Sequence, residues 1–397
     1  LKALILRAFN KLPEARAAFE EALAIAPDFP ALLSAYASLL DDLGEGQAAV
    51  RALSRACELS PESNDFLLDL GIVATNAGEF AAAEQALGKA IRAAPGVGRG
   101  WAALAYLERQ RGRTEVAEQL YRRAIEIDRE DVRSRHSLAI LLREADRPQE
   151  ALAETEAAVT SMPVPPETAT LHAHLLGDLG RLEEAVKAYR DIVQHAPEAI
   201  DAHETLARLL PQVGRSGEAL DSYRRALSVS PQSPTLWGSA LRSAFALQDH
   251  AQLAEWARQA EAAIGPYPEV RIARAAALSR LGDQTAAIDT LNGVLSDHPD
   301  NGSAHQHLAH CLVVAGEHRA AERHALKASE IEPHNQAPWA LLSVIWRLLD
   351  DPREAWLANY DQLVMPIDLD AAPGFFAELA ERLTELHTTR DHPTDQS

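Results

Sequence analysis

The sequence predicts an all-α array of consecutive helix hairpins, and three observations carry that prediction. Prolines recur at Pro27, Pro61, Pro95, Pro163, Pro197, Pro231, Pro299 and Pro333, every gap being 34 residues or a multiple of 34. Very small residues hold further columns in the same phase, and glycines hold another. Chance does not keep one residue type in phase over ten slots, and a unit of this length is a helix–turn–helix hairpin that buries its apolar face against its neighbours.

With the proline set at position 32 of each repeat, position 8 reads Ala3, Ala37, Gly71, Ala105, Ala139, Ala173, Ala207, Leu241, Ala275, Ala309 and Ser343. Position 20 reads Ala15, Ala49, Ala83, Ala117, Ala151, Ala185, Ala219, Leu253, Ala287, Ala321 and Ala355, and position 27 is alanine in most repeats, from Ala22 to Ala328. Helices approach to roughly 8–10 Å only where the crossing side chains are minimal. The first helix (helix A) ends at position 15, where Gly44, Gly78, Gly112, Gly180, Gly214, Gly282 and Gly316 supply a left-handed turn. The second (helix B) ends at the proline, because the residue before a proline avoids the helical region. Repeat 8 departs at Leu241, Gln248, Leu253 and Gly265 together, which predicts a lengthened A–B turn there, with Ala240 and Ala254 making the close contacts. Pro211 is expected to end or kink the first helix of repeat 7 early.

Trp101, Trp237 and Trp339 stand at position 4, and Phe19, Tyr121, Tyr189 and Tyr223 at position 24. With the small, glycine and proline columns, this pattern resembles the tetratricopeptide repeat (TPR) family over about residues 1–365. The resemblance implies a right-handed superhelical solenoid of about ten to eleven TPR helix–turn–helix repeats, with repeat 1 truncated at its N-terminus. It also implies a ligand groove on the inner wall, lined by helix A at positions near 2, 5, 9, 12 and 13. Those positions hold Arg99, Tyr106, Arg109, Arg133, His136 and Arg143, then His174, Arg208 and Arg242. Guanidinium groups bind carboxylates bidentately and stack on aromatic rings, so this strip is the expected site for an extended or acidic peptide. The competing reading pairs the arginines internally with Glu144, Glu167, Asp201 and Glu204. The lysine and asparagine pattern of chaperone-type carboxylate clamps is missing at positions 5 and 9, so chaperone binding is not expected.

Composition narrows the rest. Of 397 residues, 47% are hydrophobic and 24% charged, enough to bury a sizeable core. A formal charge of −20 disfavours nucleic acid as a partner. No run approaches the roughly 20 apolar residues of a membrane span, so no membrane is expected as a partner. Cys57 and Cys311 lie in repeats 2 and 10, too far apart to meet, and read as small core residues. His298-Pro299-Asp300 spells His-x-Asp but falls in an inter-repeat turn. Seven histidines crowd into residues 298–334, yet only His307 and His310 share a face of helix A, so a solvated or partly packed face is favoured over a metal site. No phosphate loop, nucleophile elbow or His-Glu-x-x-His helix occurs, so the chain as given is not read as an enzyme.

Both ends are expected to be interrupted. Leu1 falls in mid-helix at position 6, which predicts a preceding repeat or domain, partial exposure of Leu1, Leu4, Ile5 and Leu6, and an uncapped face open to homo-association. After Trp356 the pattern fades, and residues 366–397 read as a linker and helix opening a following domain. The Asn359-Tyr360-Asp361, Pro373-Gly374-Phe375, Leu386-His387 and His392-Pro393-Thr394-Asp395-Gln396-Ser397 stretches resemble the entry segment of bacterial 2-oxoglutarate/iron(II)-dependent oxygenases that follow TPR arrays. The resemblance implies iron(II) and 2-oxoglutarate only in a domain beyond this sequence, and no cofactor within it. Alanine-rich helices and arginine-dominated basic residues point to a bacterial cytoplasm. The expected function is a non-catalytic scaffold binding a protein or peptide. The alternatives are the substrate-recognition region of such an oxygenase, or a free-standing assembly adaptor.

Overall fold

The structure, a computed structural model, describes residues 1–160 and 163–358 together with Phe375, Glu378 and Arg382. The tail motifs around Tyr360, Gly374, Leu386 and His392, and with them nearly all of the segment 366–397, lie outside the described residues. Two compact units divide the chain, Leu1–Leu247 and Gln248–Ser397.

The first unit runs α1 (Lys2–Ala8), α2 (Leu12–Ile25), α3 (Pro30–Asp42), α4 (Gly46–Leu59), α5 (Asn64–Asn76), α6 (Phe80–Ala93), α7 (Gly98–Gln110), α8 (Thr114–Ile127), α9 (Val132–Glu144), α10 (Pro148–Val159), α11 (Pro166–Asp178), α12 (Leu182–His195), α13 (Ile200–Gln212), a 3-10 turn at Ser216–Glu218, α14 (Asp221–Val229) and α15 (Pro234–Ala246). In the second come α16 (His250–Ile264), α17 (Pro268–Arg280), α18 (Gln284–Asp297), α19 (Gly302–Val314), α20 (His318–Ile331), α21 (Gln336–Leu348) and α22 (Arg353–Ala358). Within each unit successive helices pack as hairpins, and among the described residues there is no strand.

The predicted phase holds along the described residues. Every helix A from α3 to α21 is 13 residues long, and a turn of three residues, four after α21, joins it to its helix B. The second residue of this turn is left-handed in all eleven repeats: seven glycines with φ between 73° and 93°, and Asn10, Asp146, Gln248 and Asp350 with φ between 52° and 57°. The amide one residue further on closes the helix, as in Arg113 N–H to the Glu108 carbonyl at 2.9 Å. Gln248 adopts φ 56° in a turn of ordinary length, so the expected lengthening in repeat 8 does not occur. Leu241 and Leu253 themselves fill the buried slots, 5% and 0% exposed. What does change is the far end of the hairpin, where Gly265 replaces proline and α16 runs one residue further, to Ile264.

Pro211 also acts differently from expectation. Helix α13 continues through it to Gln212, because a proline in the last turn forfeits one intrahelical bond while Val213 N–H still reaches the Leu209 carbonyl at 3.3 Å. The irregularity falls instead on the second helix of repeat 7, broken into Ser216–Glu218 and α14, where Ser216 and Gly217 are poor helix formers.

The core is the set of small columns plus position 24. Ala15, Ala49, Ala83, Ala117, Ala151 and Ala185 are fully buried, and the rings of Phe19, Tyr121, Tyr189 and Tyr223 are buried beside them. In five repeats a further regularity ties the hairpin to the turn before it. The position-4 side chain donates a ring or guanidinium N–H to the backbone carbonyl of position 32, six residues back: Trp101 to Pro95, Trp237 to Pro231, His203 to Pro197 and His305 to Pro299, all at 2.8–3.0 Å, and Arg135 to Arg129 at 3.2 Å. At the start of the chain Leu1, Leu4 and Ile5 are exposed, whereas Leu6 packs against the Phe19 cluster.

Candidate functional site

All nine residues of the predicted strip lie on first helices of the unit Leu1–Leu247: Arg99, Tyr106 and Arg109 on α7, Arg133, His136 and Arg143 on α9, His174 on α11, Arg208 on α13 and Arg242 on α15. The helices place them there because the buried stripe at positions 8 and 11 turns the opposite face outward. At α9 the start is fixed by Asp131, whose carboxylate accepts from the backbone N–H groups of Arg133 and Ser134.

A ladder of contacts joins each helix to the next. Position 12 of one repeat meets position 13 of its successor, 35 residues on. Arg7 pairs with Asp42 at 2.6 Å, Asn76 donates to Asp41 at 2.9 Å, Arg109 pairs with Glu144 at 2.6 Å, and Arg143 pairs with Asp178 at 3.0 Å. Position 9 meets position 13 of its predecessor, as Tyr106 Oη does in donating to Asn76 Oδ1 at 2.9 Å. Arg99 reaches Asp65 at 3.4 Å and Asp69 at 3.8 Å, and Arg242 reaches Glu204 at 2.8 Å. Internal pairing therefore engages Glu144 and Glu204 as the competing reading anticipates. It also engages Asp178, Asp65, Asp69 and Asn76, which sequence reasoning missed although complementary side chains 30, 34 or 35 residues apart were there to be read.

Two cations stand apart. Arg133 and Arg208 are exposed, and among the described residues neither has a carboxylate within ion-pair distance. Between them sit two half-buried histidines. His136 Nδ1 lies 3.3 Å from Thr168 Oγ1, and the His174 ring lies 5.8 Å from that of Tyr189 in a tilted arrangement. Burial pushes both imidazoles below their ordinary pKa, and for His174 the Arg143 charge adds to the effect. Burial likewise pushes the Tyr189 hydroxyl up to about 12. Burial thus favours the neutral form of both strip histidines, and the strip's positive charge rests on guanidinium groups.

Among the described residues no group of three or more His, Cys, Asp or Glu side chains could hold a metal ion. His307 and His310 share α19, with burial lowering the pKa of each, and the Pro299 carbonyl of the His298-Pro299-Asp300 turn is taken by His305. Cys311 is buried and Cys57 half-buried, each with its thiol pKa raised by burial, the reverse of an activated nucleophile. No helix among the described residues is long and apolar enough to cross a membrane.

Known proteins place the chain by its repeats. No curated protein matches it in sequence. Among solved structures, a chain of Naa15/Naa10 bound to HypK-THB is 20% identical with a TM-score of 0.36, the match covering 96% of this chain and 64% of that one, just under two thirds of its length. A thermophilic TPR protein of Thermus thermophilus is 20% identical with a TM-score of 0.38, covering 46% of this chain and 99% of that one. YrrB, a TPR protein with an unusual peptide-binding site, is 19% identical with a TM-score of 0.32, covering 47% of this chain and 95% of that one. Tetratricopeptide repeat profiles match residues 1–64, 35–98, 68–132 and 170–234, and a second such profile matches residues 278–345. With well over half of its length matched by these profiles, and hairpins in the same phase along the described residues, the chain belongs to the tetratricopeptide repeat family.

Proposed function

We propose that the first-helix face of α7 to α15 binds an extended acidic peptide, and that the chain works as a non-catalytic scaffold through it. The observation that carries this reading is the pair of uncompensated guanidinium groups, Arg133 and Arg208, two repeats apart on one face. Around them, Arg109–Glu144 and Arg143–Asp178 are exposed ion pairs, each holding at most about 1 kcal/mol in water, so a ligand carboxylate can exchange with the internal acid at small cost. Tyr106, His136 and His174 supply ring surface along the same face, suited to the peptide's backbone and apolar side chains.

A labelled glutamate-rich peptide is the direct probe. Charge-assisted hydrogen bonds contribute roughly 1.5–3 kcal/mol each, so Arg133→Glu with Arg208→Glu should weaken binding at least about a hundredfold. Unchanged affinity in the double variant removes this face from consideration. The oxygenase-linked reading, in which the same face presents substrate to an iron(II) and 2-oxoglutarate domain, depends on residues 359–397 and on a further domain beyond Ser397. A His-x-Asp and a distal His on strands downstream of Ser397 in the parent gene support it, and their absence from the parent rejects it.

A further inference from the structure

The charge of the candidate face changes edge along the unit Leu1–Leu247. Position 2, the second residue of each first helix, reads Arg99 on α7, Arg133 on α9, Glu167 on α11 and Asp201 on α13. Position 9, two turns further along the same face, reads Tyr106, Ile140, His174 and Arg208. Positive charge therefore stands at the position-2 edge on α9 and at the position-9 edge on α13, while the position-2 edge of α11 and α13 is acidic. Glu167 and Asp201 are the two acids that the competing reading paired with arginine and the structure does not. Both are exposed, and among the described residues neither has a cation within ion-pair distance. Position-2 side chains of successive repeats can meet, as Asp65 and Arg99 do at 3.4 Å, yet Arg133 and Glu167 share that spacing and stay apart. Burial dominates the pKa of both strip imidazoles, and weaker influences place their neighbours: the Glu167 charge acts on His136, and the Asp201 and Arg208 charges both act on His174. Two cations and two acids, none of them spent in an internal pair, thus line one face.

An extended backbone matches that pattern. Neighbouring helices pack at roughly 8–10 Å, about three extended residues, so a peptide crossing from α9 to α13 uses about six. Its side chains alternate between the two edges. A residue facing Arg133 and the sixth residue after it, facing Asp201, fall on the same side, and the next residue turns to the opposite side, where Arg208 stands. We propose that the ligand of this face is a bipolar extended peptide, with an acidic residue at Arg133, a basic residue at Glu167 and Asp201, and a second acidic residue at Arg208. This rests on the peptide-binding reading above and adds to it the order of charges in the ligand. A ligand of glutamates alone sets like charge against Glu167 and Asp201, whereas one basic side chain there satisfies both acids.

Two labelled peptides test the order of charges: glutamate, five serines, lysine and glutamate, and the same peptide with serine in place of the lysine. Fluorescence anisotropy with the full chain should find the lysine peptide about fivefold tighter. A net charge of −20 attracts any lysine, so the preference must also depend on the two acids. In Glu167→Gln with Asp201→Asn it should shrink to about twofold or less. Both acids lie in the first turn of their helices, where they suit the helix dipole, but the ratio of two peptides on one variant does not read that role. Equal binding of the two peptides overturns the proposal, and so does a fivefold preference that survives in the double variant. In either case loss of both peptides from Arg133→Glu with Arg208→Glu still upholds the peptide-binding face. Binding of neither peptide to the wild type overturns the face and the proposal together.

Discussion

Gly112→Ala isolates the backbone conformation that punctuates every repeat. Gly112 has φ +75°, and a Cβ built there meets nothing within 4 Å, so the substitution adds no clash and tests conformation alone. An L-residue in the left-handed region costs roughly 1–2 kcal/mol, and the stiffer unfolded chain returns roughly 0.4–1 kcal/mol, leaving a net loss of about 1 kcal/mol. At denaturant slopes of roughly 1–3 kcal/mol per molar, the urea midpoint should fall by about 0.3–1 M. The converse change is Asp146→Gly, at φ 56° in the equivalent slot of the next repeat. Aspartate tolerates this region better than alanine, so the expected gain is smaller, about 0.5 kcal/mol. Circular dichroism at 222 nm in urea measures both. Because repeat arrays can unfold in parts, exchange of the α7 and α8 amides should report the same loss locally. If Gly112→Ala leaves the midpoint unchanged or raises it, or Asp146→Gly lowers it, the left-handed slot does not govern the hairpin as argued.

Other expectations rest on single contacts. Trp237 is nearly buried, and its Nε1–H donates to the Pro231 carbonyl at 2.8 Å, so Trp237→Phe should cost about 1–2 kcal/mol by leaving that carbonyl unpaired, measured by the urea midpoint. Glu108 is only 5% exposed and accepts from Arg111 at 2.8 Å and Arg113 at 3.1 Å; Glu108→Ala should cost about 2–3 kcal/mol, at the lower end for a buried pair because Arg111 keeps Glu84. Burial lowers the pKa of His136, His172, His174, His203, His307, His310 and His324 below the ordinary value of 6.5. The unfolded chain therefore takes up more protons in that range, so stability is complete above pH 6.5 and declines as the pH falls toward the folded values. Midpoints at pH 7.5 and pH 5 check this; the stability that Glu218, Glu255 and Asp351 gain from being held down to about 2 by their arginine partners is lost mainly below pH 5, where the unfolded carboxylates protonate. Equal midpoints at the two pH values would contradict the histidine assignment.

Columns of one residue type were legible from the sequence; columns of one role were not. Alanine, glycine and proline recur because a close crossing, a left-handed turn and a helix stop each admit few residues, and those positions are the core and joints of the fold. The tie at position 4 escapes the same reading because Trp101, Arg135 and His203 are chemically unlike and share only an N–H aimed at one carbonyl. The left-handed slot hides likewise behind Asn10, Asp146, Gln248 and Asp350, which is why repeat 8 read as aberrant. On the candidate face, composition located the arginines. Which of them are spent internally depends on a partner one repeat away, and only the geometry separates Arg109 and Arg143 from Arg133 and Arg208.

A glutamate-rich peptide carrying one photoreactive residue, cross-linked to the full chain and mapped by mass spectrometry, tests the peptide-binding face most directly. Adducts should fall on α9, α11 and α13, near Arg133, His174 and Arg208, and should vanish in about 0.5 M salt, where screening shortens the reach of charge to a few ångströms. Adducts on the second helices of the hairpins, or on α17 to α21, would contradict the account.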